Sequence, residues 1–318
     1  MSRKCCVLTL LLASLTACAI AVPATSPTPS TLTSVPPATT APSTPDPRSA
    51  SGEAVPPTVL PPTPMPTLTA IPSLPLSSDG WAVLAEKDDY EDVQMTSLPV
   101  DYINVVQLHQ LLLDFGWQES HVRQVREFDR DTLQDGLDWL EENADPDDVV
   151  FLYVAAHGKY LNDVLRWREF LAEEWRQIPS HRRLLVIDSC QAANYTGVIL
   201  SDPAPYLAVA AVAGDEYGWS GLEEEGLPVI GGVFTHYFVA AFKDPQVDAD
   251  GDGLISVQEA ALVAEAQQRA YMHEVVFAVP EFLEGYRQSG ADKDPTFPDV
   301  VVDDTIGAPL YLALRNAE

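Results

Sequence analysis

The sequence predicts an α/β fold: a doubly wound, mostly parallel sheet with helices on both faces, occupying residues 79–318. Three observations carry this. Short apolar runs alternate with helical patterns along that stretch, the βαβα order of a parallel sheet. Two of the runs, 149–154 and 184–187, are apolar at consecutive positions, as strands covered on both faces must be. Polar, chemistry-bearing residues cluster where those two runs stop.

The elements follow in order. Residues 81–85 read as the first strand. A helix is expected over 104–115, where Val105, Val106, Leu108, Leu111, Leu112 and Phe115 recur at three- and four-residue intervals and Gly116 supplies the stop. A strand at 121–125 and a helix at 131–142 lead to the buried strand 149–156. A helix over 165–177 returns the chain to the strand 184–187, and 207–213 forms the next strand. A helix over 233–242 follows. Beyond residue 272 the signals thin out, with a loop at 292–298 and a last edge strand expected at 309–314. No internal repeat is evident.

The first 78 residues are of another kind. Residues 1–17 read as an export signal, with basic Arg3 and Lys4, a short apolar run over 7–12 and a small-residue ending. That run is too short to span a bilayer. Leu15-Thr16-Ala17-Cys18 resembles the bacterial lipobox, which implies cleavage before Cys18 and lipid on its side chain. Of the chain's 27 prolines, 16 lie between residues 19 and 78, among Thr, Ser, Ala and Val with almost no charge. Such a segment cannot bury a core, so 18–78 is expected to be a disordered Pro/Thr/Ser-rich linker. At about 3.1 Å per residue it could reach roughly 190 Å. The protein is therefore expected to be exported and held on the outer side of a cell membrane by lipid.

The chain carries 47 acidic against 18 basic residues, a net charge of -29. Nucleic acid is excluded as a partner on that ground. Four cysteines occur, at 5, 6, 18 and 190; with the signal removed and Cys18 assigned to lipid, Cys190 stands alone in the folded region. It cannot form an internal disulfide, which leaves a buried inert residue, an intermolecular bridge or a nucleophile.

Its surroundings favour the nucleophile. His157-Gly158 follows one buried strand and Asp188-Ser189-Cys190-Gln191 follows the other, 33 residues on, room for one loop, one helix and a return strand. A right-handed crossover makes the two strands parallel and brings both sites to the same carboxyl edge. An imidazole beside a thiol activates it, and the pair can attack a peptide carbonyl to give an acyl-enzyme. The amides of Gly158 and Cys190 are candidate donors to the oxyanion. Either residue alone is more often structural; the pairing is what argues for catalysis.

The residues 81–84, 148–153 with His157-Gly158, and Asp188-Ser189-Cys190-Gln191-Ala192 together resemble the caspase-fold cysteine peptidases, within them the family of legumain and the catalytic subunit of GPI transamidase. The resemblance extends over 80–243, including Phe234-Thr235-His236-Tyr237-Phe238. It implies a His157 and Cys190 dyad, a peptide or protein substrate, no organic cofactor and cleavage after Asn or Asp, with peptide ligation in some members. The segment that helps orient the family's histidine has no counterpart over 91–101. In metacaspases an acidic residue two before the Cys lines a pocket for Arg or Lys, and Asp188 has that offset. The substrate-binding candidates are accordingly Asp188, Gln191, Asp215 and Glu216, and cleavage after a basic residue stays open, as do transpeptidation and a non-catalytic binding domain.

One further motif stands apart. Residues 248–259 match a twelve-position EF-hand loop: oxygen-bearing Asp248, Asp250, Asp252, Ser256 and Glu259 at positions 1, 3, 5, 9 and 12, Gly253 at the turn, Ile255 at the apolar position, and Leu254 offering its carbonyl. Structural Ca²⁺ is expected there, bound weakly, on the order of 10⁻⁴ to 10⁻³ M.

Overall fold

A computed structural model of the chain describes residues 76–77, 79–93, 95–98, 101–199, 201–221, 230–287, 294 and 296–315. The export signal, Cys18 and nearly all of the Pro/Thr-rich linker lie outside the described residues. The chain divides into two units, and the description below keeps to the one that holds residues 76–315. Among the described residues no helix is long and apolar enough to cross a membrane.

The sheet has six strands in the order β2-β1-β3-β4-β5-β8. These are β1 (Gly80–Glu86), β2 (Val122–Arg126), β3 (Val149–Ala155), β4 (Arg182–Asp188), β5 (Tyr206–Ala210) and β8 (Val301–Asp304). The first five are parallel and β8 closes the edge antiparallel to β5. Every residue of β3 is buried, and β4 is buried from Arg183 onward, which explains why these strands read as unbroken apolar runs. The expected last strand at 309–314 is instead a strap with one β-bridge, Ser256 to Tyr311, held otherwise by bonds such as Trp117 Nε1 to the Leu312 carbonyl and the Leu314 amide to the Phe115 carbonyl. The true edge strand is four residues long, and Val301, Val302 and Asp304 are exposed, so it leaves little apolar signature.

Helices α1 (Ile103–Asp114), α5 (Val233–Ala241) and α6 (Val257–Tyr271) pack together in one layer; α2 (Arg130–Asn143) and α3 (Leu171–Gln177) pack against each other in another. Gly136 of α2 lies against Val83, where a Cβ would sit 3.2 Å from a Val83 methyl, so this helix rides close on β1. α2 opens with a capping box between Asp129 and Thr132, and α6 with one between Ser256 and Glu259. The helix expected over 165–177 is shorter. A π turn over Tyr160–Val164 and a 3₁₀ turn over Trp167–Glu169 precede α3, separated by left-handed Arg166. Trp167 is fully buried with its indole N–H donating to the Tyr195 carbonyl, and this anchor fixes the irregular path.

Candidate active site

The carboxyl edge of the sheet is organised by register. Glu86, Ala155 and Asp188 lie side by side as the last residues of β1, β3 and β4. Two residues further along these three segments come Asp88, His157 and Cys190. The chain leaves β1 for β2 on one side and then continues with β3 on the other, so the crevice between β1 and β3 is a topological switch point, where open α/β sheets take ligands.

His157 is held from three directions. Its backbone N–H donates to the Tyr90 hydroxyl at 2.8 Å, and the Tyr90 ring lies 4.7 Å from the imidazole. Its Nε2 lies 2.9 Å from the carbonyl oxygen of Thr96. A carbonyl can only accept, so Nε2 carries the proton and Nδ1 is the nitrogen free to take one. Burial pulls the imidazole pKa below its ordinary value, against the smaller upward effect of the Thr96 carbonyl, which favours a neutral ring. Next in the chain, the Gly158 carbonyl accepts from the Tyr195 hydroxyl at 2.6 Å.

Tyr195 belongs to α4 (Ala193–Thr196), directly after Cys190, so it ties the histidine turn to the cysteine turn. The two turns touch: a Cβ on Gly158 would lie 2.3 Å from the Cys190 carbonyl oxygen. Among the described residues Cys190 is in no disulfide, and it is half-buried. Gln191, beside it and also half-buried, takes a left-handed φ of 59°, an uncommon conformation for a side chain of its kind. The following segment is fastened to the turn after β5: the Gln191 amide donates to the Glu216 carbonyl at 2.7 Å, that of Ala193 to Val212 at 3.2 Å, and the Asn194 side chain to Gly214 at 2.5 Å. Gly218 passes so near that its Cβ would be 3.7 Å from the Cys190 nitrogen.

Acidic side chains ring this edge. Glu86 is buried and its pKa is pushed up to about 8 by burial and then by the charge of Asp88, although Val105 N–H and the Asn104 amide both donate to it. Asp88 is raised to about 6, again mainly by burial. Asp188 does not open into a pocket: it is buried beneath the edge, where the Thr235 hydroxyl and amide at the start of α5 donate to it at 2.6 and 3.2 Å. Burial raises its pKa. Asp215 is exposed at the same edge. Glu216 turns inward, its Oε2 accepting the amides of Ala213 and Asp299, both at 2.9 Å. Between β1 and α1, Asp88, Asp89, Ser97, Leu98, Asp101 and Tyr102 line an open hollow of about 340 Å³.

The caspase-domain family matches this sequence over residues 79–272, more than half of the chain. The chain belongs to the caspase-domain family. Caspase-1 from Spodoptera frugiperda is similar in structure, with a TM-score of 0.53 and 12% identity, over 80% of this chain and 98% of that one. No curated protein matches the sequence. Caspase-domain membership makes the chain a cysteine peptidase by class, and the solved structure bears out the fold.

In this caspase domain, several site residues were invisible in the sequence. Thr96 contributes a backbone oxygen, for which no residue type is required. Tyr90 and Tyr195 act through hydroxyls whose partners are 67 and 37 residues away. Asn104, which joins Glu86 to the Gly232 amide of the short β6–β7 hairpin (Ser220–Gly221 with Gly231–Gly232), reads in the sequence as an ordinary first-turn residue.

The loop 248–259 of the caspase domain lies elsewhere. Carboxylate oxygens of Asp248, Asp250 and Asp252 come within 4.8 Å of one another. Gly251 and Gly253 have φ of 75° and 89°, so the turn needs them. The amide of Leu254 donates to Asp252. Glu259 is not part of the converging group: Oε2 accepts from the amide and hydroxyl of Ser256 and Oε1 from the Ala249 amide. The Tyr311 hydroxyl bonds to Asp252. Tyr311 also lines a hollow with Val149 and Arg182, the first residues of β3 and β4, so this loop sits at the amino end of the sheet, away from Cys190. The three aspartates, with Glu259 turned inward, are a donor set of hard oxygens suited to Ca²⁺.

Proposed function

We propose that this protein is a legumain-type cysteine endopeptidase, carried outside the cell on a lipid-anchored Cys18 and a Pro/Thr-rich tether, and that it works through a His157–Cys190 dyad. The observation that carries this is the contact of Gly158 with the Cys190 carbonyl, which sets the turns after β3 and β4 against each other at the carboxyl edge of the sheet. His157 Nδ1 takes the thiol proton and the Cys190 sulfur adds to the scissile carbonyl. The amides of Gly158 and Cys190 face the developing oxyanion. His157 returns the proton to the leaving amine, leaving a thioester that water hydrolyses with the imidazole as base. The 248–259 loop takes Ca²⁺ and stiffens the amino end of the domain, far from the chemistry.

A second reading, cleavage after Arg or Lys, is favoured by the hollow lined by Asp88, Asp89 and Asp101 beside the Thr96 turn. Hydrolysis of fluorogenic peptides with Asn, Asp, Arg or Lys before the reporter, by the full chain in calcium, separates the two. Cleavage after Asn is expected. Turnover after Arg or Lys alone would replace the legumain reading with the second one, and turnover retained by Cys190→Ala would end both.

A further inference from the structure

We propose that Glu216 is a positioning residue for Cys190, acting through the turn that holds Gln191; this rests on the peptidase reading above. Gln191 is left-handed, and the backbone partner of its amide is the Glu216 carbonyl at 2.7 Å. A side chain held in that region relaxes unless its surroundings over-determine it. The carbonyl is in place because the 213–216 turn is closed twice, by Glu216 N–H to the Ala213 carbonyl and by Ala213 N–H to Glu216 Oε2. The same Oε2 accepts the Asp299 amide, and Asp299 and Thr296 are gripped by Arg269 of α6: Nη2 bonds Asp299 Oδ1 at 3.1 Å and Nε bonds the Thr296 carbonyl at 2.6 Å. One carboxylate oxygen thus joins the end of β5 to the segment after α7 (Pro280–Arg287), while the backbone carbonyl of the same residue holds the cysteine turn. Exposed Asp215, the neighbouring acid, makes none of these bonds.

The test uses the full chain and four variants: Glu216→Ala, Glu216→Gln, Arg269→Met and, as control, Glu141→Ala, an exposed acid of α2. Three quantities are read: kcat and KM on a cleaved peptide, the second-order rate of Cys190 alkylation by iodoacetamide, and the thermal midpoint. Glu216→Ala is expected to lower kcat and the alkylation rate about tenfold or more with KM nearly unchanged. Glu216→Gln, whose amide oxygen can accept both N–H groups, is expected to stay within about threefold of the parent. Arg269→Met should fall between them and Glu141→Ala should match the parent. A folded Glu216→Ala protein with parental kcat and alkylation rate overturns the proposal. So does a Glu216→Gln loss as deep as that of Ala, or a change confined to KM, which would make Glu216 a substrate contact. If Glu216→Ala does not fold, parental rates in Arg269→Met overturn it. If the parent cleaves no peptide the peptidase reading fails, while the alkylation ratios still decide the role of Glu216.

Discussion

Gly158 and Cys190 meet backbone to backbone: the space a Cβ would need at residue 158 is already taken by the Cys190 carbonyl oxygen, 2.3 Å from where that carbon would sit. The contact joins the two strand ends that carry the imidazole and the thiol. Gly158→Ala is therefore expected to push the turns apart and lower kcat/KM about a hundredfold. A shift of the thermal midpoint should accompany it, since the obstructing atom is backbone and cannot rotate away. Parental kinetics in this variant would show that the turns are free to separate.

Tyr90 is the second support of the histidine. Its hydroxyl accepts the His157 amide and donates to the Lys87 carbonyl at 2.6 Å, and the side chain is fully buried. Tyr90→Phe orphans both backbone groups, at a cost of about 1–3 kcal/mol for each left unsatisfied. Denaturant melts should show that loss, and kcat should fall by about tenfold as the imidazole loses its fixed orientation.

The framework was legible in the sequence because buried strands and amphipathic helices write themselves as periodicity. Expected helix 104–115 corresponds to Ile103–Asp114, and expected strand 149–156 to Val149–Ala155. The junctions between elements were not legible. The Tyr160–Val164 π turn and left-handed Arg166 follow from where Trp167 is anchored, a tertiary fact. Residues 91–101 offered no histidine-orienting side chain, yet Thr96 within them serves through its carbonyl oxygen. Asp188 and Glu216 were recognisable as acids near the nucleophile. That both bond inward, one to Thr235 of α5 and the other to the amides of Ala213 and Asp299, depends on tertiary placement that no local pattern shows.

One imidazole and one carboxyl group give pH predictions. His157 is shifted below its ordinary value by burial, so the acid limb of kcat/KM should lie below about pH 6.5. A limb above pH 7 would contradict a neutral imidazole. Glu86 runs the other way for stability. Its folded pKa, about 8, exceeds the ordinary carboxyl value, so the neutral form belongs to the folded state. Its contribution is complete below the unfolded pKa and is lost as pH rises through about 8. Unfolding free energy at pH 6 should therefore exceed that at pH 9, by an amount on the order of a few kcal/mol. Glu86→Gln should flatten that difference, and an unchanged difference would place the titration elsewhere.

Calcium should stabilise without catalysing. At about 10 mM Ca²⁺ and a Kd on the order of 10⁻⁴ to 10⁻³ M, binding to the folded state contributes about 1.4–2.7 kcal/mol. For a domain of this size the thermal midpoint should rise by roughly 3–10 °C. Asp250→Asn removes a carboxylate from the converging group and leaves the Ser256–Glu259 capping box in place. The variant should fold and lose most of the calcium response. An equal response in Asp250→Asn would remove Asp250 from the site.

The central claim is that His157 activates Cys190 to form an acyl-enzyme. Its most direct test is intact-mass analysis of the full chain, acid-quenched within the first turnover of a peptide ester that the peptide panel shows to be accepted. The account predicts an added mass equal to the acyl group, located on Cys190, absent from Cys190→Ala and formed at least about a hundredfold more slowly in His157→Ala. Product release with no adduct on Cys190, or an adduct forming at the parental rate without His157, would contradict it.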